Sequence, residues 1–142
     1  MSRWTILSFE GVGPVRFGMT REEIRQTLNA EVEEFRKSAE SPTLSDLFIH
    51  HDAVAFYDID YRLEAMEFGD TADLTWNGTT LTGRPLKAIL ENVRGNSNEV
   101  EIDFDGVTFH DLGFGVWSPG WLEDDSEMPQ AVIAFRRGYY SR

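Results

Sequence analysis

The stretch from residue 95 to residue 135 constrains the fold more than any other part of this chain. It contains no Lys or Arg, and it contains nine acidic side chains. These acids are Glu99, Glu101, Asp103, Asp105, Asp111, Glu123, Asp124, Asp125 and Glu127. Because like charges repel, the folded chain must hold these groups at its surface and tolerate their mutual repulsion. A cationic partner would relieve that repulsion.

Residues 100–110 within this stretch predict a β-hairpin. Apolar and acidic residues alternate from Val100 to Phe104, and a period of two is typical of a strand with one buried face. Asp105-Gly106 predicts the turn, and the alternation resumes over residues 107–110. We therefore expect the apolar members of the hairpin, Phe104 among them, to lie in the core.

The first helix has the clearest start signal in the chain. Thr20 is a favourable N-cap residue, and Glu23 stands three positions later, which is the spacing of a capping box. The helix is expected over residues 21–29. Val32 and Phe35 continue the apolar spacing and could extend the helix further.

A similar pattern recurs in the second half of the chain. Asn77-Gly78 predicts a tight hairpin, and Thr82 is expected to cap a second helix over about residues 83–93. The similarity suggests a duplication within a single domain spanning residues 1–142, with one repeat over about 1–70 and the other over about 71–142. The predicted fold class is α+β: two repeats of a helix plus antiparallel strands, which together form one antiparallel-sheet domain.

Composition narrows the classes of function. The formal net charge is −12, which argues against DNA, RNA or an anionic membrane as a direct partner. The chain has no cysteine, so disulfides and thiolate chemistry are excluded, and a reducing compartment is favoured. The first ten residues lack the apolar run of a signal peptide or membrane span, so we expect a cytoplasmic protein.

The sequence offers little support for catalysis. His50 and His51 are adjacent and would point to opposite faces of a strand, so they cannot share a metal ion. No nucleophile elbow, phosphate-binding loop or dinucleotide fingerprint is present. We therefore predict no catalytic residue, no metal site and no cofactor. The alternative is a small-molecule binder or small enzyme that uses His50, Asp58 or His110 in a cleft between the repeats.

Two tryptophans are embedded in the acidic stretch. Trp117 and Trp121 flank Pro119-Gly120, and tryptophan is favoured at the centres of protein interfaces. Either ring could be an exposed anchor, and packing in the core is the simpler explanation for both. The predicted partner-binding residues are Glu101, Asp103, Asp111, Trp117, Trp121, Glu123, Asp124, Asp125 and Glu127.

The segment from Gly13 to Arg25, with the sequence GPVRFGMTREEIR, resembles a recurrent bacterial pattern. It introduces the helix in small α/β repeat modules similar to beta-lactamase inhibitory protein and to outer-membrane assembly lipoproteins of the SmpA type. It also resembles cytosolic immunity proteins of toxin systems. The resemblance implies a scaffold and assigns no functional residue. With the acidic stretch, it suggests an immunity protein that occludes a basic toxin, plausibly a nuclease.

Overall fold

The computed structural model describes residues 3–140, which form thirteen strands and two helices. The helices are α1 (Arg21–Leu28) and α2 (Leu86–Val93). The first seven strands are β1 (Arg3–Leu7), β2 (Gly11–Val12), β3 (Val15–Arg16), β4 (Val32–Phe35), β5 (Ser45–Phe48), β6 (Ala53–Tyr57) and β7 (Leu63–Gly69). The others are β8 (Asp73–Trp76), β9 (Thr79–Thr80), β10 (Val100–Asp103), β11 (Gly106–Phe109), β12 (Phe114–Trp117) and β13 (Ala131–Phe135). Short 3-10 turns occupy Ile49–His51 and Arg94–Asn96.

The strands form two sheets of different size. The smaller sheet has the order β3-β2-β1-β8-β9, and its central pair, β1 and β8, is parallel. The larger sheet has the order β10-β11-β12-β13-β7-β6-β5-β4, and all of its pairs are antiparallel. Two meanders, β4–β7 and β10–β13, therefore meet edge to edge through β7 and β13.

The main core lies where both sheets and both helices meet. It contains aromatic and aliphatic side chains from every one of these units, such as Trp4, Ile24, Phe68, Ile89 and Phe114. The opposite face of the large sheet, called here the outer face, has a second and smaller apolar cluster. That cluster centres on Phe56, Ala65 and Phe135, against which Tyr139 packs.

The start of α1 confirms the capping-box prediction. The Thr20 hydroxyl accepts a hydrogen bond from Glu23 N–H, and the Glu23 carboxylate accepts one from Thr20 N–H. The predicted extension beyond residue 29 is wrong. Asn29 adopts a left-handed conformation with φ of 41°, which ends the helix, and residues 32–35 become the edge strand β4.

The start of α2 differs from its prediction. The Thr82 hydroxyl donates to the Ala72 carbonyl at 2.7 Å, so it does not cap the helix. The helix begins three residues later than expected, at Leu86, after Pro85, whose ring favours the first turn of a helix. Leu86 N–H donates instead to the Glu127 carbonyl at 3.2 Å, so the distant segment around Glu127 helps to satisfy this helix end.

The predicted fold class is wrong. Residues 3–140 are mostly β, with 41% of them in strands or bridges and 16% in helices, the short 3-10 turns included. It contains two sheets, one of them with a parallel pair, rather than one antiparallel sheet built from two helix-plus-strand repeats. The prediction failed because helix-start patterns are local, whereas the parallel pairing of β1 with β8 joins residues about seventy positions apart and has no local signal.

Candidate functional site: an acidic end and an adjoining groove

β10 and β11 form the predicted hairpin, which turns one residue earlier than expected. The expected burial of its apolar residues holds for Val107 and Phe109 on β11 and is wrong for Ile102 on β10, which is 43% exposed. Asp103 pairs with Gly106 across the hairpin, so Phe104 and Asp105 form the turn. The Asp103 carboxylate accepts hydrogen bonds from Asp105 N–H at 2.8 Å and Gly106 N–H at 3.0 Å, as an aspartate at the first turn position commonly does. Phe104 therefore projects from the hairpin tip and is 76% exposed, so its predicted core position is wrong.

The predicted loop between β12 and β13 folds onto this hairpin. The Trp121 indole N–H donates to the Asp103 carbonyl at 2.9 Å, and Ser118 N–H donates to the Asp105 carbonyl at 2.6 Å. Trp121 itself is buried, with 6% of its surface exposed. The hairpin residues 102–105 and the loop residues 117–128 thus form one continuous surface, which we call the acidic end.

The loop is also attached to α2. Besides the bond from Leu86 N–H to the Glu127 carbonyl, Lys87 Nζ lies 2.9 Å from the Asp125 carboxylate, and that hydrogen bond raises the pKa of Lys87. Carboxylates near the positive end of a helix are stabilised by its dipole. Part of the negative charge of the loop therefore lies beside the first turn of α2, where Lys87 and the helix dipole reduce the repulsion between the carboxylates.

Two predicted partner-binding acids have partners elsewhere in the fold. The Asp111 carboxylate accepts hydrogen bonds from the Ser97 hydroxyl at 2.5 Å and Asn98 N–H at 2.7 Å. Burial alone would raise its pKa, but these bonds hold the pKa below its usual value. Asp111 follows the far end of β11, away from the hairpin tip. Glu101 lies on β10, where its carboxylate is 2.6 Å from His110 Nε2.

The other predicted acids lie together at the acidic end. Asp103, Glu123, Asp124 and Asp125 are exposed, and Glu127 is partly exposed. Asp124 also accepts hydrogen bonds from the Ser126 side chain and Ser126 N–H, which lower its pKa and hold the loop in a turn. These carboxylates lie at the surface, and the basic side chains of Lys87 and Arg94 lie beside the loop.

Large apolar side chains are exposed among these carboxylates. Phe104 is 76% exposed, Trp117 is 48% exposed, and three aliphatic side chains of the same end are 43–50% exposed. The three are Ile102, Leu122 and Met128. Of the two alternatives for these tryptophans, exposure holds for Trp117 and packing holds for Trp121, whose ring fills the space between loop and hairpin. A polar, solvated rim around apolar side chains is the usual anatomy of a protein interface.

A groove of about 790 Å³ adjoins the acidic end on the outer face of the large sheet. One row of cross-strand partners runs through its floor from Glu67 on β7 to Ile133, Gly115 and Thr108. Gly115 has no side chain to fill the space above this row. A Cβ there would lie 3.2 Å from the Thr108 hydroxyl oxygen, so a larger residue would crowd the floor.

The walls of the groove contain aromatic and charged side chains. Trp117 and Asp103 come from the acidic end, so the two features share a border. Tyr140 and Lys37 line the other side. Lys37 Nζ lies 4.4 Å from the centroid of the Phe56 ring, which places its charge over the neighbouring apolar cluster.

Glu67 is the unusual group in this groove. Burial raises the pKa of its carboxyl, and the charge of Lys37 offsets that effect only in part. Within residues 3–140 the Glu67 carboxylate has no hydrogen bond and no ion pair. A carboxylate that is partly removed from water without a paired cation is costly to the fold. The sequence analysis did not identify Glu67, because an alternating strand gives no sign that one of its acids lies in a groove.

The three residues of the alternative catalytic prediction lie in separate surroundings. His50 is next to Glu31 at 3.5 Å, Asp58 is bound by Arg136 at 2.8 Å, and His110 contacts Glu101. Burial of Asp58 would raise its pKa, but backbone hydrogen bonds and Arg136 hold the pKa low. No cluster of three or more potential metal ligands occurs in the part of the chain that the structure describes.

Neither helix within residues 3–140 has the length and apolar composition needed to cross a membrane. Comparisons of this chain with protein-family models, with curated protein sequences and with solved structures find no match. Function must therefore be argued from the acidic end and the groove themselves.

Proposed function

We propose that this chain is a protein-binding module whose acidic end docks onto the basic surface of a partner protein. The main support is the combination of exposed Phe104 and Trp117 with acidic side chains at the same end of the molecule. Aromatic side chains supply the apolar contact that dominates interface energies, and the carboxylates steer a basic partner into register. The assigned role is binding rather than catalysis.

In its more specific form, the proposal is a cytoplasmic immunity protein that occludes a basic toxin, plausibly a nuclease. The carboxylates of the acidic end would take the place of substrate phosphates on such a toxin, and occlusion needs neither a metal nor a cofactor. The resemblance of Gly13–Arg25 to immunity-type modules motivates this form. The strongly negative net charge of −12 is consistent with an attraction to a basic protein rather than to a nucleic acid.

A pair of exposed residues allows a matched test. Phe104 is 76% exposed at the acidic end, and Ile59 is 75% exposed in the turn at the opposite end of the large sheet. A photo-crosslinking amino acid at position 104 should capture one basic protein in cells of the source, whereas the same group at position 59 should not. The recovered protein should be toxic when it is produced alone and harmless when the present chain is produced with it.

Binding of the purified partner gives the quantitative form of the test. Phe104→Ala is expected to weaken binding by about 2 kcal/mol, the size of an interface hot spot, whereas Ile59→Ala should change it by less than about 0.5 kcal/mol. Equal crosslinking from the two positions, or equal losses from the two substitutions, would remove the acidic end from the proposal.

Charge steering is tested by neutralising the loop acids together. The variant Glu123→Gln, Asp124→Asn, Asp125→Asn, Glu127→Gln should slow association about tenfold at low salt, and added salt should erase the difference. Its control neutralises four exposed acids outside the acidic end: Glu22, Glu33, Glu40 and Asp60. An identical association rate for both variants would contradict a steering role for the loop.

A further inference from the structure

We propose that the groove on the outer face of the large sheet binds an arginine or lysine side chain of the partner, with Glu67 as the counter-charge. This inference rests on the proposed function and specifies the anchor point that a basic partner would use. It also assigns a role to Glu67, which lies outside the acidic stretch.

The charge of the groove favours a cation. Its charged lining consists of the carboxylates of Glu67, Asp103 and Asp105 and one ammonium group, that of Lys37. The Lys37 ammonium already lies over the Phe56 ring and 3.5 Å from the Tyr139 hydroxyl, and its charge offsets only part of the effect of burial on the pKa of Glu67. A cationic side chain entering the groove would therefore meet an excess of negative charge.

The surroundings of Glu67 favour a side chain over a hydrated metal ion. The floor beside it is Ile133 and Gly115, and the walls include the rings of Trp117 and Tyr140. The apolar stem of an arginine or lysine can cover such a floor while its charged head reaches the carboxylate. The faces of tryptophan and tyrosine also attract a guanidinium group.

The dimensions of the sheet fit one such side chain. Glu67 lies on β7 and Trp117 on β12, two strands away in the order β7-β13-β12. Neighbouring strands are about 4.8 Å apart, and Trp117 is two residues along the strand from the row that contains Glu67, so the two backbone positions are separated by roughly 12 Å. A guanidinium group placed between them would lie above Ala131 and Ile133 of the intervening strand, with the carboxylate on one side and the indole on the other.

The test uses the whole chain and a peptide of defined charge. The probe is acetyl-Ala-Arg-Ala-amide, and its control is the same peptide with citrulline, which has nearly the shape of arginine without the charge. Binding is followed by the NMR shifts of the backbone amides of Thr108, Gly115 and Ile133. We expect saturable shifts with millimolar affinity for the arginine peptide and no saturable shift for the citrulline peptide.

Two substitutions on one row of the sheet separate a specific site from general charge. Glu67→Gln should weaken arginine-peptide binding about tenfold, because it removes the charge of the partly buried carboxylate in the groove floor. Glu33 lies on the same cross-strand row, joined to Glu67 through Leu47 and Val54, but outside the groove. Glu33→Gln should change binding less than about twofold, since exposed charges are well screened.

The inference is overturned if the two peptides bind equally, if neither shifts the groove amides, or if the two substitutions have the same effect. These outcomes are distinct from failure of the proposed function. If the groove test fails while Phe104→Ala still weakens binding of the partner, the acidic end remains the docking surface without this anchor. If the arginine peptide binds but Phe104→Ala has no effect on the partner, the docking proposal fails and the cation site stands.

Discussion

Asp46 and Glu67 are acidic residues of the large sheet whose side chains are buried, fully or in part, on opposite faces of that sheet. Asp46, on β5, points into the core and is fully buried. Its carboxylate accepts hydrogen bonds from Arg21 at 2.8 Å, from Arg25 at 2.7 Å and from the Tyr57 hydroxyl at 2.9 Å. Glu67, on β7, is partly buried on the outer face and has no comparable partner within residues 3–140.

The two acids differ in their partners: the hydrogen bonds of Asp46 stabilise the fold, whereas Glu67 is the group that we propose for binding. Burial of Asp46 would raise its pKa, but the hydrogen bonds from Arg25, Arg21 and Tyr57 hold the pKa below its usual value. The pKa of Glu67 is raised by burial with little compensation. The first carboxylate fastens α1 to the sheet, whereas the cost of burying the second is offset only in part, by the charge of Lys37.

The largest effect is expected from removing the paired acid. Asp46→Ala leaves two arginines beside the core without their counter-charge and should lower the free energy of unfolding by about 3–5 kcal/mol. Urea denaturation followed by tryptophan fluorescence measures the change. Glu33→Ala, an exposed acid of the adjacent strand β4, is the control and should cost less than about 0.5 kcal/mol. A loss below about 1 kcal/mol for Asp46→Ala would show that the network does not fasten the helix.

A smaller effect on the free energy of unfolding is expected when the pH is lowered. The folded pKa of Asp46 lies below its unfolded value of 3.8, so its stabilisation is complete above that value and is lost as pH falls through the folded pKa. Protonated aspartic acid resembles asparagine in shape and charge. The difference in unfolding free energy between the native chain and Asp46→Asn should therefore be largest near neutral pH and shrink below about pH 4. A difference that stays constant across this window would contradict the assignment.

The smallest effect has the opposite sign. The folded pKa of Glu67 lies above its unfolded value of 4.5, so ionisation of Glu67 opposes folding as pH rises through the folded pKa. Glu67→Gln should raise the free energy of unfolding by about 0.5 kcal/mol near pH 7, a value reduced for solvent screening. The gain should vanish below the unfolded pKa. A clear loss of stability on substitution would mean that Glu67 supports the fold, and the contrast with Asp46 would disappear.

Several elements of the fold were predictable because their signals are local. The capping box of Thr20 and Glu23 needs only four consecutive residues, and it forms as expected. Asn77 and Gly78 both adopt positive φ between β8 and β9, as the hairpin signal requires. Residues 32–35 were not predictable in this way, because their apolar spacing suits either structure and pairing with β5 decides for a strand.

The candidate site was predictable only in part. The carboxylates of residues 123–127 lie at the surface, as their charge requires, and Trp117 is exposed beside them. Trp121 has the same local surroundings in the sequence but is buried, because its indole N–H reaches the carbonyl of Asp103 in a different hairpin. Glu67 was missed since its importance depends on the residues of β12 and β13 that lie beside it.

The sequence alone determined the charge of the surface, the start of α1 and the tight turn of Asn77-Gly78, because each follows from composition or from neighbouring residues. Only the tertiary structure decided that two sheets form, that Phe104 is exposed while Trp121 is buried, and that Asp46 meets two arginines while Glu67 lies in a groove. Burial and ion pairing depend on contacts between residues far apart in the chain. Strand register sets the contacts of Asp46 and Glu67, and a shift of one residue would move each of these two side chains to the other face.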